Sequence, residues 1–487
     1  MNVIGSRPTG WWRNRPRAMR ELVEELRSLG EPVTVVFDGR PFGVEGDGVE
    51  VRFASRRGRN AADDDIVALV ERADDPGTLR VVTSDSELAA RVHERGAEVV
   101  GAGAFRSRLD EAGASPVAPD PRYATALLDW LACAARGREE PAARAARTLG
   151  DQVASAGTAG HVLDFDDTYL PGIAHLSAPT APAALVLAAE RDLTVADALA
   201  AYAAGFEAMG AVARASHPAL YDSGWHSTAV CGGVGAAVTA AALLDAPSDA
   251  AVAIALLRAA GLRAAFGSDG KSLQVGLAAA SGTEAARLAA AGARVPLPDA
   301  SRGFEQATGG TFAEPDPRER AIERNWIKAW PCCLQTHGAI EAAATIRDRA
   351  PERLTVTVHP VSLQAAAVGP EPADGLQAKF SIPYLTAYTL LHGPPVVESF
   401  EGVDPTAVER ARQIEVRTDP ALLESEFVLH ARDEELARVK AALGSPDRPM
   451  DAEALRAKVE QLAGAELARA LDDLGRPASE VLELAGL

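Results

Sequence analysis

The stretch from residue 123 to about 321 limits this chain's fold more than any other: Ala and Leu recur at helical spacing, Gly and Pro punctuate them, and β-branched runs are almost absent. That pattern folds as packed helices. Its extreme is the uncharged run STAVCGGVGAAVTAAALL, from Ser227 to Leu244, long enough in principle to span a bilayer. Small side chains suit close helix approach better than lipid, so a helix buried in protein, with no membrane association, is expected. At 487 residues the chain exceeds one ordinary core and implies two or three domains.

On either side of the helical block the texture changes. Residues 1–112 alternate strand and helix signals: VTVVFDG (33–39), LRVVTSD (79–85) and AEVVGAG (97–103) are short apolar runs, with amphipathic stretches at 17–29, 63–73 and 86–96. They predict a small parallel α/β sheet whose ligand site lies at the strand carboxyl ends, where Asp38 and Asp85 fall. GASPVAPDPR, residues 113–122, is the natural linker, and residues 123–324 form the all-α domain. LTVTVHPV (354–361) and QIEVRT (413–418) alternate at period two, with the helical HGAIEAAATIRDRA (337–350) nearby, so residues 325–440 read as an α+β domain. Residues 441–487 return to helix and are expected to pack back on the all-α domain.

A net charge of −19 argues against non-specific nucleic-acid binding by the whole molecule. The four cysteines have no spacing that describes a disulfide framework or a thiolate knuckle, and the amino terminus has no signal-like apolar core. A reducing, cytoplasmic setting is expected. The basic residues say more: of 49, only Lys271, Lys328, Lys379, Lys440 and Lys458 are lysine. A buried lysine can give up its proton, whereas arginine does not, so lysines kept in so arginine-rich a chain are candidates for chemistry. Taken singly, each is more often a surface charge.

HVLDFDDT (161–168), read as helix, places His161, Asp164, Phe165 and Thr168 on one face by steps of three and four, with Asp166 elsewhere. The ordinary alternative is a capped helix end. His175 in PGIAHLSAP and His226 in GWHST each stand between a turn and an apolar helix, where the helix dipole favours carboxylates. FGSDGK offers Lys271, and NWIKAWPCCLQTH offers Lys328, Cys332, Cys333 and His337. Such a set suits a substrate with several carboxylates, lysines holding charge while His or Asp takes a proton α to one of them. Tandem cysteines do not supply an aconitase-type cluster and no clean metal triad is evident, so metal-free, cofactor-free elimination is expected. DFDD as the magnesium-diphosphate motif of an all-α isoprenoid synthase lacks a second metal-binding motif, in a chain only 5% aromatic.

The ordered set HVLDFDDT, the His before Ser-Ala-Pro, GWHSTAVCGGVGAAVTAAALL, FGSDGKSLQVGLAAASG, KAWPCCLQTHGAIEA and LQAKFSIPY resembles the MmgE/PrpD family, from about residue 123 onward. That family includes 2-methylcitrate dehydratase, cis-aconitate decarboxylase and an iminodisuccinate epimerase. The resemblance implies a cofactor-independent lyase for a small polycarboxylate, of the 2-methylcitrate dehydratase type. It further implies a large helical domain with a smaller α+β lid, a homodimer, and a site between the domains. Active-site positions would fall on Asp164, Thr168, His175, His226, Lys271 and Lys328, with His337 close by. His226 or His175 would exchange protons, Asp164 would orient a His, and His161, Lys271 and Lys328 would bind substrate.

MNVIGSRPTGWWRNRP, with the strands above and NAADDDIVALV, resembles the YacP-like NYN domain, a relative of PIN nucleases. This implies RNA as a partner and a Mg²⁺ site built by Asp38, Asp63, Asp64 and Asp85; the acidic run serves equally as a helix N-terminus complementing its dipole. The strand and Asp that precede Asn-Val-Ile in that family have no counterpart before Asn2, so weak or no nuclease activity is expected. An RNA-binding or RNA-cleaving protein with a passive carboxyl-terminal part is the alternative of a different class.

Overall fold

The computed structural model describes residues 15–27, 29, 32–38, 43, 48–56, 58, 60–102, 105 and 120–487. Residues 1–14 and 113–119 of the expected linker lie outside the described residues. The chain divides into two compact units, Met1–Ala118 and Pro119–Leu487.

In the first unit β1 (Val33–Phe37) pairs parallel with β2 (Val49–Phe53), and β3 (Arg80–Val82) pairs parallel with β4 (Glu98–Val100). β2 is not among the three strands expected above; in VEVRF charged residues alternate with apolar ones, and pairing with β1 buries Val49. The Arg15–Arg27 helix covers β1 and β2 with Met19, Leu22, Val23 and Leu26. Ala61–Glu71 and Ser86–His93 bury Val67, Val70, Leu88 and Val92 together with Val81 of β3.

The second unit is helical as far as residue 324, and its helices begin where the sequence can satisfy their free N–H groups. Asp120 caps Pro121–Gly137, with Pro121 in the first turn, and Asp151 caps Gln152–His161. Thr194 and Asp197 cap Val195–Ser216 reciprocally. Ser227–Leu244 packs between Val195–Ser216 and Gly270–Ala290, and the latter packs on Gln152–His161. Val195–Ser216 and Ser227–Leu244 are apolar and long enough to cross a membrane, and most of each is buried inside this unit. Small residues set the spacing. A Cβ on Gly276 would overlap Ala154 O and Thr158 Oγ1, and one on Gly235 would come within 2.8 Å of Met209 Cβ.

A two-residue antiparallel pair, β5 (Thr168–Tyr169) with β6 (Asn325–Trp326), ties the segment after His161 to the start of the α+β region. There β7 (Leu354–Val358), β8 (Ile414–Thr418), β9 (Phe427–Ala431) and β10 (Glu434–Val439) form one sheet in the order β10-β9-β7-β8, with β7 and β8 parallel. Leu354, Val356 and Val358 turn to the core at period two, where His337–Ile346 and Ile382–His392 cover them. Ala452–Leu467 and Ala478–Ala485 return to the helical core through Leu455, Val459, Val481 and Leu482.

Gly276→Ala is expected to lower the unfolding free energy by about 1–3 kcal/mol, because the backbone of Gln152–His161 must give way. Urea unfolding followed by far-ultraviolet circular dichroism measures this; an unchanged midpoint would mean that the two helices have slack at this contact.

Candidate active site

Gln152–His161 ends at His161, and three residues later Asp164 takes a φ of 53°. The helical reading of 161–168 is therefore wrong: a left-handed residue breaks the face on which His161, Asp164, Phe165 and Thr168 were to meet. A non-glycine residue in that region costs on the order of 1–3 kcal/mol and persists where its surroundings hold it. Here lysines hold it. Lys271, in the first turn of Gly270–Ala290, donates to Asp164 Oδ1 at 3.0 Å. Lys328, two residues past β6, donates to the same Oδ1 at 2.6 Å and to Asp164 O at 2.9 Å. Lys379 donates to Leu163 O at 2.7 Å. Lys458, from Ala452–Leu467, donates to Phe165 O and Lys328 O, both at 2.9 Å, with its ammonium 3.7 Å from the Phe165 ring centre and 2.6 Å from Asp129 Oδ1. All the chain's lysines except Lys440 thus close on residues 163–165.

Burial alone would push the Asp164 carboxyl up, but the ammonium groups of Lys271 and Lys328 overcome it and hold Asp164 well below the usual carboxylate range. Burial works against the charge of Lys328 too, and Asp164 and Asp166 more than restore it. Burial pushes Asp166 and Asp167 each up to about 7, and Lys379 down to about 8. Burial, and then the nearby ammonium of Lys271, drives His161, His175 and His226 well below 6.5, which leaves all three imidazoles neutral at pH 7.

The imidazoles come from three helix ends: His161 closes Gln152–His161, and His175 and His226 stand before the starts of two others. His161 Nδ1 lies 2.9 Å from Asp166 Oδ2, so Asp166, and not Asp164, orients this ring; His161 Nε2 is buried without a protein partner. His175 precedes Ser177–Glu190, with Nδ1 2.6 Å from Asp167 O and Nε2 3.8 Å from Asp164 Oδ1. Thr168 Oγ1 stands 3.4 Å from His175 Nδ1. His226 immediately precedes Ser227–Leu244, with Nδ1 2.6 Å from Gln274 Nε2. The His161 ring centre is 4.4 Å from that of His175 and 6.2 Å from that of His226.

Asp164, Thr168, His175, His226 and Lys271 line one hollow of about 430 Å³, shared with Tyr221, Phe266 and Phe380. A second hollow of about 310 Å³ shares Asp164 and Lys271 and adds His161, Ser272 and Lys379. Lys328 stands behind Asp164, touching its carboxylate without lining either hollow. His337 is not brought to the hollows: its Nε2 lies 3.3 Å from Cys332 O and its ring 5.0 Å from that of Trp330. Residues that the motif reading did not assign are Asp166, Lys379, Lys458, Gln274 and Tyr221, the last with a buried hydroxyl that has no protein partner. The scarcity of lysine was a signal for two of them.

Among the described residues, one group of three offers ligand atoms within 4.8 Å of one another: His161, Asp166 and His175. His161 and Asp166 are already hydrogen-bonded to each other, His175 Nδ1 meets a carbonyl, and Lys271 and Lys328 stand close by. That charge favours an anion over a cation. In the first unit Asp38 follows β1, and Asp85 caps Ser86–His93 through Glu87 N and Leu88 N. Asp64 pairs with Arg91 at 2.7 Å and with Arg56. The Asp63 carboxyl is raised by partial burial and by the charges of Asp85 and Asp38.

Comparison with known proteins bears on the second unit. Residues 153–313 match the family model of the MmgE/PrpD N-terminal domain, and residues 330–483 match that of the MmgE/PrpD C-terminal domain. A cis-aconitate decarboxylase of Aspergillus terreus is 27% identical over 260 residues, which cover 46% of this chain and 53% of that protein. A cis-aconitate decarboxylase of Homo sapiens is 28% identical over 305 residues, 56% of this chain and 62% of that protein. The chain thus spans between half and two thirds of the length of these curated relatives. The first match takes in the helices that carry His161 to Lys271 and the second takes in the α+β region from residue 330, with Lys328 between them, and over the matched residues the chain belongs to the MmgE/PrpD family.

Proposed function

We propose that the second unit is a cofactor-independent lyase for a small polycarboxylate, working through a carbanion next to one of the substrate's carboxylates. The observation that carries this is the charge arrangement around the two hollows: Lys271 and Lys328 hold one firmly ionised carboxylate, Asp164, with Lys379 on the wall of the second hollow and neutral imidazoles beside them. In a site shielded from water, that excess of positive charge attracts a polyanion and stabilises charge that grows on its carboxylate oxygens. The amino-terminal ends of Ser177–Glu190 and Ser227–Leu244, at His175 and His226, add their dipoles to the same effect. A neutral imidazole can take a proton from carbon, which a permanently charged one cannot.

Two substrates fit this chemistry. The family that the motifs resemble includes dehydration of 2-methylcitrate, and the names of the relatives favour decarboxylation of cis-aconitate. Both reactions pass charge into a carboxylate that the same ammonium groups can hold.

Purified protein mixed separately with 2-methylcitrate and cis-aconitate, followed by ultraviolet absorbance of the unsaturated acid, should turn over at least one of them. His226→Ala and Lys271→Ala should each lower kcat/KM by about a hundredfold or more. A folded protein inert toward both acids, or variants as active as the parent, would refute the proposal. A second expectation concerns pH. Lys379 is charged below about 8 and neutral above it, so the positive field on a polyanion weakens as pH rises through about 8. The kcat/KM profile should fall on that alkaline side toward the rate of Lys379→Met, which should be slower than the parent below about 8 and lack this limb; the same limb in Lys379→Met would assign it to another group.

A further inference from the structure

We propose that Gln274 fixes the tautomer of His226, so that His175 and His226 hold opposite ones: His175 is the proton acceptor of the site and His226 a standing hydrogen-bond donor. The use made of these two roles rests on the lyase reading above; the tautomers themselves do not.

The oxygen and nitrogen of an amide side chain look alike, and their placement has to follow from their surroundings. Here the backbone decides. Leu262 N donates to Gln274 Oε1 at 2.9 Å, and Gln274 Nε2 donates to Leu262 O at 3.2 Å. A flipped amide would set N–H against N–H and oxygen against oxygen. Gly261 allows this close approach: its φ is 132°, its carbonyl accepts from His226 N at 3.0 Å, and a Cβ there would overlap Ala229 Cβ. The second hydrogen on Gln274 Nε2 therefore serves His226 Nδ1, 2.6 Å away. Nδ1 must accept, and a neutral imidazole then carries its proton on Nε2.

The same reasoning gives the reverse result at His175. Its Nδ1 lies 2.6 Å from the carbonyl of Asp167, which can only accept, so Nδ1 keeps the proton and Nε2 is bare. Both rings line the hollow and both Nδ1 atoms are engaged by the protein, so Nε2 is the nitrogen each presents to a ligand.

The roles follow. In the dehydration, when the substrate's C–H bond breaks, the proton forms a new N–H bond on His175 Nε2, and the electron pair passes into the adjacent carboxylate of the substrate. His175 becomes an imidazolium with Asp164 Oδ1 3.8 Å away to balance it. His226 donates its Nε2–H to the oxygens that gain charge and keeps its proton, acting as a neutral imidazole electrophile. Lys271 and Gln274 are three residues apart on Gly270–Ala290, so one helix face delivers the ammonium and the lock together. Gln274 acts through His226 and is a positioning residue.

The test is ¹⁵N NMR of histidine-labelled protein, in which two-bond couplings to the ring protons separate protonated from bare nitrogens. Signals are assigned by their loss in His226→Asn and His175→Asn. The expected result is a bare Nδ1 and protonated Nε2 at His226, and the reverse at His175; a protonated Nδ1 at His226 overturns the proposal. Gln274→Glu, whose carboxylate accepts where the amide donated, should put a proton on Nδ1 and empty Nε2. It should lower kcat by about a hundredfold with KM within about threefold. An Nε2 that stays protonated in Gln274→Glu, or one that empties with kcat unchanged, overturns the role of Gln274 or of the donor. If Gln274→Glu does not fold, the spectrum of the unsubstituted protein decides alone. The spectra need no turnover, so a protein inert toward both acids would sink the lyase reading and leave the tautomers to be judged separately.

Discussion

One carboxylate oxygen, Oδ1 of Asp164, accepts from two ammonium groups, and the rest of the site is arranged around that contact. It brings to the loop after Gln152–His161 two parts of the chain that lie 107 and 164 residues further on, the start of Gly270–Ala290 and the segment beyond β6. A buried charge that loses one partner costs about 3–5 kcal/mol, so the three groups specify one another. The contact also accounts for the left-handed backbone at Asp164, which the lysine ammonium on Asp164 O and those on its two neighbours' carbonyls hold in place.

This clasp sets the electrostatics of the histidines. Had Asp164 been free, it would have drawn His175 toward the charged form; tied to two lysines, it leaves the ring under the influence of burial and positive neighbours. Neutral imidazoles then stand beside fixed ammonium groups. Such an arrangement accepts protons and holds anions with little rearrangement when charge develops.

Much of this was legible in the sequence, and the unread parts have physical reasons. The small-residue helices were plain because period and composition agree, and the scarcity of lysine pointed at Lys271 and Lys328. The loop at 162–167 was not legible: His161, Asp164 and Thr168 keep helical spacing, and only contacts distant in sequence impose the positive φ that breaks it. Asp166, which the helical spacing pointed elsewhere, meets His161 for that reason. β9 was missed because FVLHA is a short apolar run without alternation, and β10 because EELARV mixes charge into its pattern, as a strand at the border of a sheet does. Gln274 carries no local mark, since its function depends on a loop that meets it from Gly261 and Leu262. Lys458 looks like an ordinary polar position of an amphipathic helix until its carbonyl partners are known.

Lys458 has a consequence for how the protein is made. Its ammonium is the only side-chain donor found on Phe165 O among the described residues, and it also holds Lys328 O. A nascent polypeptide whose Ala452–Leu467 segment is still inside the ribosome has synthesised every residue of the hollow and still lacks the strut beneath it. The lining of the hollow is therefore complete in sequence before the residue that braces it has emerged.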